Sequence, residues 1–280
     1  MRDTDFNSRL EAAGFYIIVL FLLFYSFFPA LWLLLTSLKR TKQIIHVPIE
    51  FIPDPLVFSQ YRDVFAKAPF DRFILNSVVV SLGSTLLCIF IATLASYALA
   101  RLRVPGKNVF LVSFLLISTF PLIALMVPLF KIFRELSLLN TYWALILPYT
   151  VFSLPISIWI LTTFFREIPE DLEEAARIDG CSRVSALIRV IFPLSAPGVA
   201  TAAMISFVNS WNEFTLAFSL MSERSMYTLP VGITYLKDQY AVPWGLISSG
   251  IIIAIVPLII LIIFFQKRLI SGLTAGAIKG

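Results

Sequence analysis

The sequence has little charge, little cysteine and almost no histidine. Only 14% of its 280 residues are charged, whereas a typical soluble domain has about 25%, and 59% are hydrophobic. The two cysteines, Cys88 and Cys181, lie far apart in the chain, so we expect neither a disulfide framework nor a cysteine-ligated metal site. Because His46 is the single histidine, we expect no histidine-ligated metal centre either.

The motifs of an enzyme are also missing. Gly106-Lys107 is the one Gly-Lys pair, and it lacks the glycine five positions upstream that a phosphate-binding loop requires. Neither an HExxH nor a GxSxG motif is present, so we expect no catalytic site and no cofactor in this chain, and a membrane-embedded enzyme is disfavoured. The net charge of +5 is modest and comes without a dense Lys/Arg cluster, so nucleic acid is not an expected partner.

Long apolar runs are what the chain has in abundance, and its mean hydropathy is +0.89. A run of about 20 apolar residues crosses a bilayer as a helix. The first run is longer than the core of a cleavable signal peptide, so we interpret it as a retained span. The sequence therefore predicts an all-α membrane protein with six transmembrane helices in a single domain, residues 1–280. The predicted spans are residues 12–35, 76–100, 109–130, 143–165, 198–220 and 245–265.

The short loop Arg101–Lys107 gives the orientation, because it carries three basic residues and no acid. Such loops face the cytoplasm. Alternation of the spans then makes residues 36–75 an external loop and places both termini, residues 166–194 and the tail 266–280 in the cytoplasm. Lys39, Arg40 and Lys42 conflict with this orientation, but they lie in a long loop, where the rule is weaker. The external loop is either a docking surface, with a short helix near residues 59–67, or a plain connection.

Residues 170–194, named here the EAA segment, lie in the most charge-dense part of the chain, which cannot lie in lipid. Pro169 suits the first position of a helix, and the acidic residues after it suit the positive end of the helix dipole. Gly180 is predicted to end that helix in the left-handed conformation, and Ser182 to cap a second helix. The apolar face of the second helix is predicted to consist of Val184, Leu187, Ile188 and Ile191. From composition alone, a solvated loop is the alternative interpretation.

The fifth predicted span carries polar side chains at helical spacing. Polar groups within a span usually point inward, so these residues predict one wall of a translocation path that hydrogen-bonds sugar hydroxyls. The aromatic residues Trp211 and Phe214 are predicted to stack on sugar rings. Hydrogen bonding between helices is the alternative. The polar residues are Ser206, Asn209, Asn212 and Glu213.

Small residues and prolines mark two further features of the spans. Span two has a face of small and weakly polar residues, which favours close helix packing. Prolines inside spans predict kinks, which are either soft joints for alternating access or static bends. The small residues include Ser81, Ser84, Cys88, Ala92 and Ser96, and the prolines are Pro121, Pro128, Pro148, Pro155 and Pro257.

The EAA segment also resembles a known motif. Glu174-Ala175-Ala176, then Gly180, then Pro193 match the EAA loop of permease subunits in ABC importers, with Val190 and Phe192 in its Ile and Leu positions. Several other stretches resemble the carbohydrate-uptake permeases of bacteria and archaea, most closely the six-span subunit of maltose- and trehalose-type importers. These stretches are residues 101–107, 139–143, 164–169, 211–214, 227–232, 272–276 and 279–280.

The resemblance implies a type I ABC importer permease fold with cytoplasmic coupling helices. It implies three kinds of partner besides membrane lipid: a second permease, two ATPase subunits that bind ATP and Mg²⁺, and an extracytoplasmic sugar-binding protein. In this family the EAA helix docks on an ATPase and the C-terminal tail reaches between the two ATPases. The implied coupling residues are Glu174, Ala175, Ala176, Asp179 and Gly180, and the implied tail residues are Gly272, Thr274, Gly276 and Lys279.

The alternative function is an ion-gradient-driven secondary transporter or channel subunit. Such a protein would need acidic or basic relays within its spans, and Glu213 is the single acidic residue predicted to lie in one. The resemblance, together with the lack of such relays, implies an ATP-driven importer of di- or oligosaccharides in the inner membrane of a bacterium or archaeon, with its energy supplied by another chain.

Overall fold

The computed structural model describes the backbone of residues 2–237 and 242–275, and this part of the chain is helical without a β-strand. Two short elements depart from α geometry, a π-helix at Leu187–Ile191 and a 3₁₀ helix at Arg224–Met226. The α-helices are α1 (Arg2–Ser37), α2 (Thr41–Ile44), α3 (Ser59–Lys67), α4 (Phe70–Arg101), α5 (Lys107–Ser118), α6 (Leu122–Glu135), α7 (Trp143–Glu167), α8 (Glu170–Ile178), α9 (Arg183–Ala186), α10 (Phe192–Leu194), α11 (Ala196–Asn212), α12 (Thr215–Leu220), α13 (Leu229–Thr234) and α14 (Trp244–Ala275).

Within those described ranges, four helices are long and apolar enough to cross a membrane. A fifth span results if the bent pair Arg183–Leu194 and Ala196–Asn212, which meet at 82°, counts as one. The predicted count of six is therefore not confirmed. The four helices are Ala12–Ser37, Phe70–Arg101, Trp143–Glu167 and Trp244–Gln266.

The third predicted span, residues 109–130, is two helices rather than one. The chain leaves α5 after Ser118, and α6 begins after Pro121, which caps it in an extended conformation with ψ of 119°. Proline has no N–H to donate and disfavours helical geometry at the residue before it, so the break falls at this position. Pro128, Pro148, Pro155 and Pro257, in contrast, lie inside continuous helices.

The chain divides into two compact units. One comprises Met1–Ala68 with Ile233–Ile255, and the other comprises Pro69–Gly232 with Val256–Gly280. In the first unit no residue from 12 to 35 of α1 is buried, whereas Thr36 and Ser37 at its end are. The helix α3 coincides with the surface helix predicted at residues 59–67.

A polar cluster organises the loop after α1. Lys39 is 2% exposed, its ammonium group donates to the carbonyl of Glu50, and it lies 4.6 Å from the centre of the Trp32 ring. Burial lowers the pKa of Lys39, and the nearby carboxylate of Glu50 opposes this effect. The side chain of Gln60 donates to the carbonyl of Lys39 and ties the start of α3 to the same cluster.

In the second unit α4, α7 and α11 pack through small polar residues. Ser84 donates to the hydroxyl of Ser210 over 2.9 Å, and Ser96 donates to the carbonyl of Ile158 over 3.0 Å. The predicted small-residue face of span two is therefore a packing surface. A cluster of buried apolar side chains lies between these helices and the EAA segment: Ala92, Tyr97, Leu99, Leu111, Ile158, Leu161, Phe165, Leu187, Ile191 and Ala202.

Candidate functional site

The EAA segment folds as a helix, a glycine turn and a second, irregular helix. Pro169 precedes α8 as its N-cap, one position earlier than predicted, and acidic residues occupy the first turn. Gly180 has φ of +93°, and the backbone N–H of Cys181 reaches back to the carbonyl of Ala176 over 3.0 Å. Ser182 accepts a hydrogen bond from the backbone of Ser185 over 3.2 Å. The predicted glycine turn and serine cap are thus confirmed, because both depend on local backbone geometry alone.

The second helix differs from a regular α-helix. Residues Leu187–Ile191 form a π-helix, in which the N–H of Phe192 bonds to the carbonyl of Leu187. Pro193 follows and has no N–H to continue the α-helical ladder. Of the predicted apolar face, Leu187 and Ile191 are buried, whereas Val184 and Ile188 are exposed. Half of that face therefore anchors the segment in the apolar cluster.

The first helix, α8, exposes the predicted coupling residues. No residue of α8 is buried. Glu174, Ala175, Asp179 and Gly180 are exposed, and Ala176 is half-buried. Two apolar side chains that sequence reasoning missed are exposed beside them: Leu172 is 45% exposed and Ile178 is 86% exposed. A nine-residue helix gains most of its stability from packing, so this surface suits a partner protein.

Arg101, the last residue of α4, holds the start of α8. Its guanidinium donates to the carbonyl of Ile168 and lies 3.4 Å from the carboxylate of Glu173 and 3.6 Å from that of Glu170. The hydroxyl of Tyr97 donates to the same Glu173 carboxylate. The Arg101 side chain is 5% exposed and that of Glu173 is 12% exposed, so water screens this ion pair little. We name this contact the Arg101 clamp; the sequence carried no signal for it beyond a positive loop and an acidic helix.

A cavity of about 230 Å³ lies beside the break that follows α11. Asn209 and Glu213, two of the predicted path residues, line it, and the other lining residues come from α7, from the break before α6, from the start of α6, from α11 and from α12. These are Phe120, Leu122, Tyr149, Phe152, Ser153, Ser210 and Leu216.

Glu213 lies at the break directly after α11 and has a structural role there. Its carboxylate accepts the backbone N–H groups of Leu216, at 2.9 Å, and Ala217, at 3.2 Å, so it caps α12. The hydroxyl of Tyr149 also donates to it. Both oxygens are therefore engaged, in agreement with the hydrogen-bonding alternative for this residue.

Three predicted path residues do not line the cavity. Trp211 is 2% exposed and stacks on Phe207 with ring centres 5.6 Å apart, so its ring is not free to stack on a sugar. Ser206 is fully buried, and the exposed Asn212 donates to the carbonyl of Val208 within its own helix. Helical spacing puts Ser206, Asn209 and Glu213 on one face, but the packing along that face buries Ser206 and leaves Asn209 beside the cavity.

Two asparagines give a structural role to two of the stretches that resemble the sugar permeases, residues 139–143 and 227–232. Asn140, with φ of 58°, accepts the backbone N–H groups of Ser222 and Glu223 at 2.7 and 3.0 Å. Asn76 donates to the carbonyls of Ser225 and Tyr227, both over 2.9 Å. The loop after α12 is thus fixed to α4 and to the start of α7.

The predicted tail lies partly outside the described residues. The backbone of α14 continues through Gly272 and Thr274 to Ala275, so residues 272–275 are helical. Gly276 and Lys279 lie outside the described residues. Within the side chains that the structure describes, no group of three His, Cys, Asp or Glu residues is placed to hold a metal ion.

Comparison with known proteins gives consistent matches along the chain. Residues 88–274 match the family model described as the inner membrane component of binding-protein-dependent transport systems. The sulfoquinovosyl glycerol transport system permease protein of Agrobacterium fabrum is 49% identical over 253 residues, which cover 90% of this chain and 89% of that protein. The trehalose transport system permease protein of Mycobacterium tuberculosis is 41% identical over 258 residues, which cover 91% and 93%.

A solved structure shows the same fold at low sequence identity. It is a chain of a bacterial ABC transporter that imports the acidic polysaccharide alginate. It superposes with a TM-score of 0.81 at 21% identity, covering 93% of this chain and 97% of that one. The family match spans well over half of the chain, and it includes the EAA segment, the Arg101 clamp and the cavity. The chain therefore belongs to the family of inner-membrane components of binding-protein-dependent transport systems, the permeases of ABC importers.

Proposed function

We propose that this chain is the permease subunit of an ATP-driven importer of di- or oligosaccharides or related glycosides. The observation that carries the proposal is α8, an exposed helix with the EAA residues on its surface. Similar proteins are named as permeases for sulfoquinovosyl glycerol, trehalose and trehalose/maltose. Together these findings support transport of a sugar-containing molecule, with ATP hydrolysis in separate subunits.

In this proposal the cavity beside Glu213 is one wall of the translocation path. The amide of Asn209 and the hydroxyl of Ser153 face it and suit the hydroxyl groups of a sugar. The half-exposed or exposed rings of Phe152 and Phe120 lie beside them, and they offer apolar faces for a sugar ring. A second permease supplies the opposite wall, and a binding protein delivers the sugar.

The proposed membrane placement is the one expected from the loop charges. The EAA segment, the N-terminus and the C-terminal end of α14 face the cytoplasm, and the loop between α1 and α4 faces outward. ATP closes the two ATPases, which move the coupling helices and switch the cavity between its inward and outward states.

The test uses the complete complex of this chain with its partner subunits. A photoreactive cross-linker on Ala176→Cys is expected to capture an ATPase subunit, and the same reagent on Arg62→Cys, on the exposed face of α3, is the matched control. Gly180→Asp is expected to lower sugar uptake strongly, because aspartate strains the left-handed turn and adds a charge to the docking surface. Capture of no ATPase at Ala176 would contradict the proposal.

The ion-gradient alternative gives a different result. In membrane vesicles we expect sugar uptake to require ATP and to persist after ionophores collapse the sodium and proton gradients. Glu213, the acidic residue that a relay would need, has its oxygens engaged by Tyr149 and by two backbone N–H groups. Uptake that stops with the gradients and continues without ATP would favour a secondary transporter.

A further inference from the structure

We propose that Arg101, assisted by Tyr97, is the positioning residue that carries movement of the coupling helix α8 into the membrane bundle. The inference rests on the proposed function, in which a partner ATPase moves α8. It assigns the mechanical connection to one buried side chain at the end of α4, outside the EAA motif.

Apart from the Arg101 clamp, α8 is attached weakly to the rest of its unit. No residue of α8 is fully buried, so apolar packing holds the helix only weakly, through its contact with the second half of the EAA segment. The Arg101 clamp joins it at its first turn, through the carbonyl of Ile168 and the carboxylates of Glu170 and Glu173. A guanidinium is planar and carries five donors in a fixed fork. Because Arg101 binds one group before α8 and two within its first turn, its side chain moves together with that turn.

Arg101 is itself attached to a well-packed end of α4. It is the last residue of α4, and the preceding turn is firmly packed: Leu99 and the ring of Tyr97 lie in the buried apolar cluster with Phe165 of α7. Ser96, the residue directly before Tyr97, donates a hydrogen bond to the backbone carbonyl of Ile158 in α7 over 3.0 Å. A displacement of Arg101 therefore displaces the ends of α4 and α7 together.

The other end of the EAA segment is anchored independently of Arg101. Leu187 and Ile191 are buried in the same apolar cluster, so the segment stays attached there without Arg101. Breaking the clamp is thus expected to leave α8 present and able to dock, but free to move without α4. A variant that still docks on the ATPase but no longer passes its movement to α4 would show that Arg101 has a positioning role and not merely a role in folding.

The experiment follows docking and switching separately in the reconstituted complex. Docking is the cross-link from Ala176→Cys to the ATPase, and switching is the ATP-driven change in maleimide labelling of Asn209→Cys in the cavity. Arg101→Gln is expected to keep the cross-link and to lower the ATP-driven change in labelling roughly tenfold, because a neutral amide cannot replace the charge-assisted hydrogen bonds of the guanidinium. Arg101→Lys keeps the charge but not the fork, and we expect partial rescue.

The matched control is Arg103→Gln, which removes the same charge from an exposed position two residues further on. It is expected to switch normally. If Arg101→Gln fails to assemble, Tyr97→Phe and Glu173→Gln replace it, because each changes a single polar group and keeps the shape of the side chain. Both are expected to weaken switching with docking retained.

The outcomes are distinguishable. Normal switching in Arg101→Gln, or in both substitute variants, overturns the inference while the Ala176 cross-link still supports the proposed function. Equal loss in Arg103→Gln also overturns it, since loop charge would then be the cause. If the unaltered complex gives no cross-link at Ala176, the proposed function itself fails.

Discussion

At the scale of single residues, backbone geometry explains why a glycine occupies the turn of the EAA segment. Gly180 adopts φ of +93°, and a Cβ added there would meet nothing within 4 Å. The restriction at this position is therefore conformational and not steric crowding by a neighbour. Residues with a Cβ reach the left-handed region at a cost of about 1–2 kcal/mol, and asparagine tolerates it better than most.

The prediction at this scale compares two variants of Gly180. We expect Gly180→Ala to lower the thermal stability of the permease and its uptake activity, and Gly180→Asn to lower them less, because asparagine occupies the left-handed region more readily. Thermal unfolding in detergent and uptake in vesicles are the measurements. Gly14→Ala is the control: that site is equally open and lies inside α1. Equal effects of Ala and Asn at position 180 would mean that φ is not the cause.

At the scale of elements, glycine lets two helical segments approach closely. A Cβ built on Gly198 of α11 would lie 2.4 Å from the ring of Phe164 in α7. Side chains of real proteins do not approach so closely, so alanine at this position forces a ring or a helix to shift. Phe164 belongs to one of the stretches that resemble the sugar permeases, and its contact with Gly198 gives that stretch a packing role.

The prediction at this scale is a double substitution. Gly198→Ala is expected to destabilise the protein by about 1–3 kcal/mol, the usual cost of overpacking. Phe164→Ala opens a space, and the double variant is expected to be more stable than the sum of the two single effects, because the new methyl group fills that space. Thermal melting of all four proteins measures the coupling. Additive effects would contradict direct contact between the two side chains.

At the scale of the whole molecule, the number of membrane crossings decides which surface each site faces. Among the residues that the structure describes, four helices qualify as spans on length and hydropathy, and the pair α5 and α6 is broken at Pro121. If that pair crosses the membrane together, Arg103 and Ile178 lie on one side and Ile52 lies on the other. If it does not cross, Arg103 and Ile178 lie on opposite sides.

Labelling with a membrane-impermeant maleimide tests this at single cysteines, in a background with Cys88 and Cys181 replaced. We expect Ile52→Cys to react in intact cells. Arg103→Cys and Ile178→Cys are expected to react after permeabilisation alone, because the charged loop and the EAA segment both favour the cytoplasm. Reaction of Arg103→Cys in intact cells, with Ile178→Cys still protected, would show that α5 and α6 form a re-entrant pair.

The sequence by itself determined the features that depend on local rules. Apolar runs gave the membrane class, and the charges predicted that the EAA segment lies in water. Gly180 and Ser182 were predicted in their turn and cap, because φ preference and side-chain capping act over a few neighbouring residues. The α3 helix and the packing face of α4 were also predicted from short-range patterns.

Only the tertiary structure decided which distant groups meet. Tyr97 and Glu173 are 76 positions apart, and nothing in their local sequence pairs them. The rotation of α11 against α4 and α7 turned Trp211 inward and left Asn209 facing the cavity, and the break after Asn212 made Glu213 a cap. The physical reason is that periodicity shows which residues share a face, whereas the helices packed around it determine what that face contacts.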